Sequence, residues 1–325
     1  MDRQSFDVAA LGELLIDFTQ NGVSEQGNPL FEANPGGAPA NVLAMLRKLG
    51  RRCAFLGKVG ADGFGDQLAG VLGASGIGLQ GLRRDAEVGT TLAIVHTLPG
   101  GDRDFSFYRR PGADLMLRPE ELDREVLESC RIFHFGSLSL TDEPCRSALR
   151  EALAVTRSAG ALISFDPNLR PPLWADLKEA RAQIEWGLAQ CDILKIADNE
   201  LQFVTGETDL FCGADLLRQR FPKIRLMNVT LGADGSRAYC GDAFAAVPGC
   251  SLGGVIETTG AGDAFCACVL HYVLDHGPDG LREDGLREML RFANAAAYLV
   301  TTKRGAIRSM PEESDVKAVL AAGPR

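Results

Sequence analysis

A chain of 325 residues with 46% hydrophobic residues and a formal net charge of −9 can form one large α/β domain, or two ordinary ones, around a full core. Basic residues come as pairs such as Arg51-Arg52 and Arg109-Arg110 rather than as patches, which excludes a nucleic-acid or anionic-membrane surface as the main partner while leaving room for anionic small ligands. Nine cysteines without a CxxC pair, and four histidines sharing no ligand spacing with them, argue against a disulfide framework or a structural zinc site.

At the front, Met1-Asp2-Arg3-Gln4-Ser5-Phe6-Asp7 is polar and lacks the apolar core of a secretory signal. No apolar run approaches a membrane span, and small core cysteines fit a reducing compartment, so the expected location is the cytoplasm. Strand-like runs follow at Val8–Leu11, Ala54–Val59, Thr91–Thr97, Ile132–Phe135, Leu162–Asp166, Ile193–Ile196 and Ile224–Thr230. Helical periodicity covers Ala40–Leu49, Gly65–Ala74, Pro119–Cys130, Pro144–Ala159, Leu177–Gln190, Asn199–Thr205, Ala214–Arg220, Ala264–Asp275 and Leu286–Thr302. Such alternation predicts βαβ units and a mostly parallel sheet with helices on both faces. Two segments break the pattern, Asp17–Phe31 and Gly100–Leu117. The second contains Asp104-Phe105-Ser106-Phe107-Tyr108, which alternates as a half-exposed strand does. They are expected to form a small β-sheet outside the main layer. Strand alternation also says that Arg109 and Arg110 do not both face inward.

Ligands of open α/β sheets bind past the carboxyl ends of the strands, so the strand-end motifs matter most. Gly12-Glu13-Leu14-Leu15-Ile16-Asp17 ends the first strand with a carboxylate able to accept two sugar hydroxyls, or merely with a turn residue. In Asn34-Pro35-Gly36-Gly37-Ala38-Pro39-Ala40-Asn41, paired glycines permit close backbone approach, and Asn41 stands one turn into a helix. Gly76-Ile77-Gly78-Leu79-Gln80-Gly81 matches GxGxxG but follows a helix, the wrong context for a dinucleotide site, and no Walker A motif occurs. Asp166-Pro167-Asn168-Leu169-Arg170 sets a fixed cation beyond a strand. Thr230-Leu231-Gly232-Ala233-Asp234-Gly235 reads as a hairpin turn or as a nucleotide-contacting loop. The most informative stretch is Glu257-Thr258-Thr259-Gly260-Ala261-Gly262-Asp263-Ala264-Phe265. Small residues at a helix start suit a phosphate, and a carboxylate in the same turn suits proton removal from an attacking hydroxyl. The bland alternative is a glycine-capped turn with a first-turn Asp.

Taken together and in order, Gly36-Gly37-Ala38-Pro39-Ala40-Asn41 and Thr258-Thr259-Gly260-Ala261-Gly262-Asp263-Ala264-Phe265 resemble the two signatures of the ribokinase-like (PfkB-type) carbohydrate kinases. The resemblance spans nearly the whole chain. Within the family, Phe31-Glu32-Ala33-Asn34, Tyr108-Arg109-Arg110-Pro111-Gly112-Ala113-Asp114 and His134-Phe135-Gly136-Ser137-Leu138-Ser139-Leu140 are similar to the fructokinases, although Ser is usual where Gly112 stands. The resemblance implies an α/β three-layer sandwich with a mostly parallel central sheet flanked by helices. It implies one kinase domain over residues 1–325, lid segments near 13–35 and 98–117, and a homodimer through the lids.

The resemblance also implies roles. Asp263 is the base, and Gly260, Ala261 and Gly262 form the anion hole. Asp17, Gly36, Gly37 and Asn41 hold the sugar, and Arg109 and Arg170 lie near sugar or phosphates. Thr230, Gly232 and Gly235 contact ATP, and Asn294 lies by the adenine. Glu200 matches the glutamate of the family's NxxE magnesium motif, whose Asn is replaced by Ala197, so contact with Mg²⁺ through water is expected. Glu257 stands where Asp is usual near a monovalent-cation site, which weakens any case for K⁺ activation. The expected reaction is transfer of the ATP γ-phosphate to fructose, giving fructose 6-phosphate. The alternatives are the same chemistry on 2-keto-3-deoxygluconate, ribose, a nucleoside or aminoimidazole riboside, a sensor that binds without turnover, and, on GxGxxG alone, a dehydrogenase.

Overall fold

The computed structural model describes residues 6–97, 103–250 and 252–322. Residues 1–5, which carry most of the reading against a secretory signal, and 98–102 of the second lid segment lie outside the described residues.

Apolar, β-branched runs bounded by glycine turns give strands, and amphipathic runs give the helices between them. In chain order the elements are β1 (Phe6–Leu11), β2 (Leu15–Val23), β3 (Pro29–Gly36), α1 (Ala38–Lys48), β4 (Cys53–Gly60), α2 (Gly63–Ala74), β5 (Gly78–Asp85), β6 (Leu92–Thr97) and β7 (Arg103–Tyr108). There follow α3 (Arg124–Ser129), β8 (Cys130–Gly136), α4 (Cys145–Ser158), β9 (Leu162–Asp166), α5 (Leu177–Leu188), β10 (Ile193–Ala197), α6 (Asp198–Thr205) and α7 (Leu210–Arg220). The chain ends with β11 (Leu226–Thr230), β12 (Ser236–Cys240), β13 (Ala243–Val247), α8 (Ala261–His276), α9 (Glu283–Thr301) and α10 (Glu313–Ala322).

Nine strands form one sheet in the order β13-β12-β11-β10-β9-β8-β1-β4-β5. The run from β11 to β5 is parallel, and only the β11–β12 and β12–β13 pairs are antiparallel. Parallel strands are buried on both faces, and two separate apolar clusters result. One packs α1, α2, α8, α9 and α10 against the sheet through residues such as Val42, Leu68, Phe265, Leu290 and Val316. The other packs α3 to α7 through residues such as Val126, Leu149, Ile184, Leu201 and Leu217. This is the expected three-layer sandwich.

Four further strands, in the order β3-β2-β6-β7, make a separate sheet. Thr91–Thr97, placed by sequence among the alternating strands, therefore belongs to the small sheet and not the central one. Its successor β7 pairs with it antiparallel, and no helix intervenes to carry the chain to a parallel neighbour. The expected helix over Pro119–Cys130 is also interrupted. A 3₁₀ turn at Pro119–Glu121 precedes α3, whose first turn is capped by Asp123 accepting from the Val126 amide at 3.1 Å, and Cys130 already begins β8. Three strands, β5, β12 and β13, and the final helix α10 had no counterpart in the sequence reading. The GxGxxG run spans the exit of α2 and the start of edge strand β5, as its dismissal requires.

Candidate active site

The cleft is built around the start of α8. Gly260 caps this helix in the left-handed region (φ +84), a conformation that costs other residues dearly. The first intrahelical bond runs from the Ala264 amide to the Gly260 carbonyl at 2.9 Å. The amides of Gly262 and Asp263 therefore precede the helical ladder, where donors lack intrahelical acceptors and the helix dipole is positive. The Ala261 amide already donates to the Thr258 carbonyl at 3.3 Å, so of the three expected anion-hole amides it is the one already engaged. Gly260, Gly262 and Asp263 line a cavity of about 560 Å³, together with Glu13, Asp17, Gly37, Asn41, Lys195, Arg170 and others.

Asp263 is 8% exposed, and Asn41 of α1 donates to its Oδ2 at 2.7 Å. Burial raises its carboxyl to about 6, against the lowering pull of the Asn41 bond. A base with that value is mostly ionised at neutral pH yet still basic enough to take a proton. The Asn41 side-chain oxygen is buried without a partner, an acceptor left over in the cavity wall.

Opposite stand three more carboxylates. Asp17, at the base of β2, is partly exposed, and its carboxyl is raised to about 7 by dehydration, with Arg170 opposing. Glu13 is buried and raised to about 7 for the same reason, although its Oε1 accepts from the Ala38 amide at 2.9 Å. Glu257 accepts from the Gly305 amide at 3.2 Å, which ties the segment before α8 to the loop after α9. The Gly36-Gly37 pair is explained by close approach. A Cβ on Gly36 would lie 2.3 Å from the Asp17 carboxylate, and one on Gly37 (φ +122) would lie 2.3 Å from the Glu13 carbonyl.

The ends of β9 and β10 supply the cations. Among the described residues Arg170 makes one hydrogen bond, to its neighbour's carbonyl at 3.2 Å, and it acts electrostatically on Asp17 and Asp263. Glu200, expected near magnesium, is buried outside the cavity lining. Its two oxygens accept from the Leu169 amide at 2.7 Å and the Ala197 amide at 2.8 Å, clamping the loop that carries Asn168 and Arg170. Burial raises its carboxyl, with Lys195 pulling the other way. Among the described residues no cluster of His, Cys, Asp and Glu could hold a metal unaided. No direct protein chelate is present among the described residues, so the divalent ion is written as part of a metal–nucleotide substrate.

The remaining expected site residues are placed elsewhere. Arg109 does face inward, while Arg110 is exposed, but Arg109 is spent behind the cleft wall. It donates to Asp114 at 2.8 Å, to the Leu138 carbonyl at 2.9 Å and to Thr141 at 3.0 Å. Thr230, Gly232 and Gly235 surround the β11–β12 hairpin turn, whose Leu231, Asp234 and Ser236 line a separate, shallower hollow. The Asn294 amide is committed as well. Its oxygen accepts from Ser236 at 2.9 Å, and its nitrogen donates to Pro248 at 3.2 Å, which fixes α9 to the β12–β13 hairpin.

Sequence reasoning passed over Lys195 and gave no role to Glu13 or Asn168, all of which line the cavity. A signal for Lys195 was available. It is the one charge within the apolar run Ile193–Ala197, and a lysine buried in a central strand needs a partner.

Comparison with known proteins bears on the whole chain. A family profile described as pfkB family carbohydrate kinase matches residues 5–313. A probable fructokinase-2 of Arabidopsis thaliana is 44% identical over 315 residues, covering 96% of this chain and 95% of the relative. The fructokinase of Xylella fastidiosa, solved with bound ATP, superposes with a TM-score of 0.87 at 30% identity, over 97% of this chain and 98% of that one. The fructokinase of Vibrio cholerae superposes in a fructose, ADP and calcium ion bound form with a TM-score of 0.85 at 31% identity, over 98% of this chain and 100% of that one. A double mutant of it in a fructose, ADP and potassium ion bound form gives 0.86, also at 31%, over 97% and 99%.

Proposed function

The chain belongs to the pfkB family of carbohydrate kinases, and on that footing we propose that it transfers the γ-phosphoryl group of ATP to fructose, giving fructose 6-phosphate. One observation carries this reading: Asp263, buried and hydrogen-bonded to Asn41, stands beside the unpaired first-turn amides of α8 in the open cleft. Asp263 takes the proton of the primary hydroxyl as that oxygen attacks the γ-phosphorus. The bond to the β–γ bridging oxygen breaks, and ADP leaves. The amide of the cap residue Gly260 and that of Gly262 in the first turn of α8 receive the charge of the migrating group. A divalent cation would enter with ATP and neutralise phosphate charge, while Glu200 holds the loop that carries Asn168 and Arg170.

Asp17, Asn41 and the Gly36-Gly37 turn hold the sugar, helped by Arg170 on the same side. The β11–β12 turn with Thr230, Gly232 and Gly235 takes the nucleotide, and Asn294 supports it from behind. The four-stranded sheet serves as a lid that excludes water as a competing acceptor; Leu15, Asp17 and Phe107 already contribute its side of the cavity. Exposed Val23, Leu30, Phe31 and Tyr108 on the same sheet support a homodimer made through the lids. Glu257, engaged by the Gly305 amide, supports weak or absent K⁺ stimulation.

The test is ADP release from Mg-ATP over fructose, 2-keto-3-deoxygluconate, ribose, nucleosides and aminoimidazole riboside, with Asp263→Ala alongside. Fructose is expected to give the highest kcat/KM, and Asp263→Ala to lose at least about 10²-fold in rate while still binding sugar. Ligand binding without ADP from any acceptor would replace the kinase reading with a sensor.

A further inference from the structure

We propose that Lys195 is the cation that meets the migrating phosphoryl group. The inference rests on reading the start of α8 as the transfer site, and it adds to that site a residue that no sequence signature marks.

Parallel register sets Asp166, Lys195 and Asn228 side by side across β9, β10 and β11. Leu194 pairs with Phe165, which brings Lys195 level with Asp166, and Lys195 itself pairs with Asn228. Their neighbours Phe165, Leu194, Ile196 and Val229 all belong to the opposite apolar cluster, so the three polar side chains point toward α8. Lys195 is 7% exposed and lines the cavity with Gly262 and Asp263. A methyl group added to Gly262 would come within 3.2 Å of the ammonium nitrogen. The ammonium therefore sits directly against the first turn of α8, where the unpaired amides are.

Charge and valence say what it is free to do. The cavity lining holds four carboxylates, Glu13, Asp17, Glu257 and Asp263, and two cations, Arg170 and Lys195. A nucleotide triphosphate cannot bring its terminal phosphate into that field without a fixed positive charge at the point of arrival. Arg170 is the main charge opposing the dehydration of Asp17, on the sugar side, while Lys195 lies against Gly262 at the α8 end. Asp166 is its ion-pair partner among the described residues, at 3.1 Å to Oδ2 and 3.3 Å to Oδ1. An ammonium has three donors, and one carboxylate uses at most two of them. The third has the cavity as its way out. Asp166 and Glu200 hold the group charged despite its burial. As a purely structural device the pair is poor value, because a buried ion pair contributes little over well-packed apolar side chains.

Two variants separate this role from packing: Lys195→Met, which keeps an unbranched chain of similar length, and the neutral pair Lys195→Met with Asp166→Asn, which removes the ion-pair partner's charge together with the ammonium. Wild-type turnover is measured first, so that a failure of the kinase reading is visible by itself. Two readouts follow. In steady state, Lys195→Met is expected to lose about 10²–10³-fold in kcat while the sugar KM moves less than about threefold. In calorimetry, which needs no turnover, both variants are expected to lose at least about tenfold of the wild-type preference for Mg-AMP-PNP over Mg-ADP, because only the former carries a γ-phosphoryl. If either variant is folded, with a wild-type melting profile, and keeps that preference or keeps kcat within about threefold, Lys195 is only a partner for Asp166 and the proposal fails. The neutral pair supplies the answer should the single variant not fold.

Discussion

Replacing Asn41 by leucine is expected to move the acid limb of turnover without abolishing turnover. Leucine matches the amide in shape but cannot donate, so Asp263 loses the 2.7 Å bond that holds its carboxyl down at about 6. A hydrogen bond to a charged group is worth about 1.5–3 kcal/mol, and about 1.36 kcal/mol moves a pKa by one unit. The Asp263 carboxyl should then titrate between about 7 and 8. Half of the wild-type Asp263 is ionised at pH 6, against roughly 1–10% of the variant, so kcat/KM at pH 6 falls about 5- to 50-fold further than at pH 9. At high pH both bases are ionised, and the variant's base is the stronger one. Loss of the unpaired Asn41 oxygen as a sugar contact lowers the whole profile but does not change its shape. The assay is the pH profile of kcat/KM under subsaturating sugar, which reports the free enzyme. An acid limb that stays at the wild-type position in a folded Asn41→Leu protein refutes Asp263 as the titrating base.

Four further outcomes follow from the same geometry. Asp263→Asn should stabilise the ligand-free protein at pH 8 by up to about 3 kcal/mol. A carboxyl raised from 3.8 to about 6 on folding destabilises the native state above pH 6 and costs nothing below about pH 4, so calorimetric melting should show the gain at pH 8 and none at pH 4. Gly36→Ala should fold and show a raised sugar KM, because its methyl meets only the movable end of Asp17; Gly37→Ala, at φ +122 against the Glu13 carbonyl, should lose at least about 2 kcal/mol of stability in denaturant titrations. Glu200→Gln should lower stability by about 1–3 kcal/mol, because an amide nitrogen then faces the Leu169 or Ala197 N–H, whereas a change confined to the magnesium requirement would show the clamp to be unimportant.

Much of this protein was legible in one dimension, where the physics is local. Continuous apolar runs marked the strands on either side of β9, because a strand buried on both faces must be apolar along its length, and helical periodicity marked most of the helices. The run Thr258–Phe265 was legible for a similar reason: glycine at φ +84 and small residues at a helix start are backbone requirements written into residue type. Pairing partners were not legible. Thr91–Thr97 has the composition of a central strand, and only its antiparallel neighbour assigns it to the small sheet. Strands β5 and β13 lie at the sheet edges, where partly exposed mixed residues blur the pattern, and β12 is a short five-residue strand that carries Arg237. The site shows the same division. Residue type placed Asp263 and Asn41 as candidates, but a 2.7 Å contact between positions 222 residues apart exists only once α1 and α8 pack together. The family resemblance suggested Arg109 and Glu200 as ligand-facing groups, and the fold instead surrounds each with its own protein partners. A side chain's chemistry belongs to the sequence; what it is left free to do depends on which donors and acceptors the tertiary structure has already brought against it.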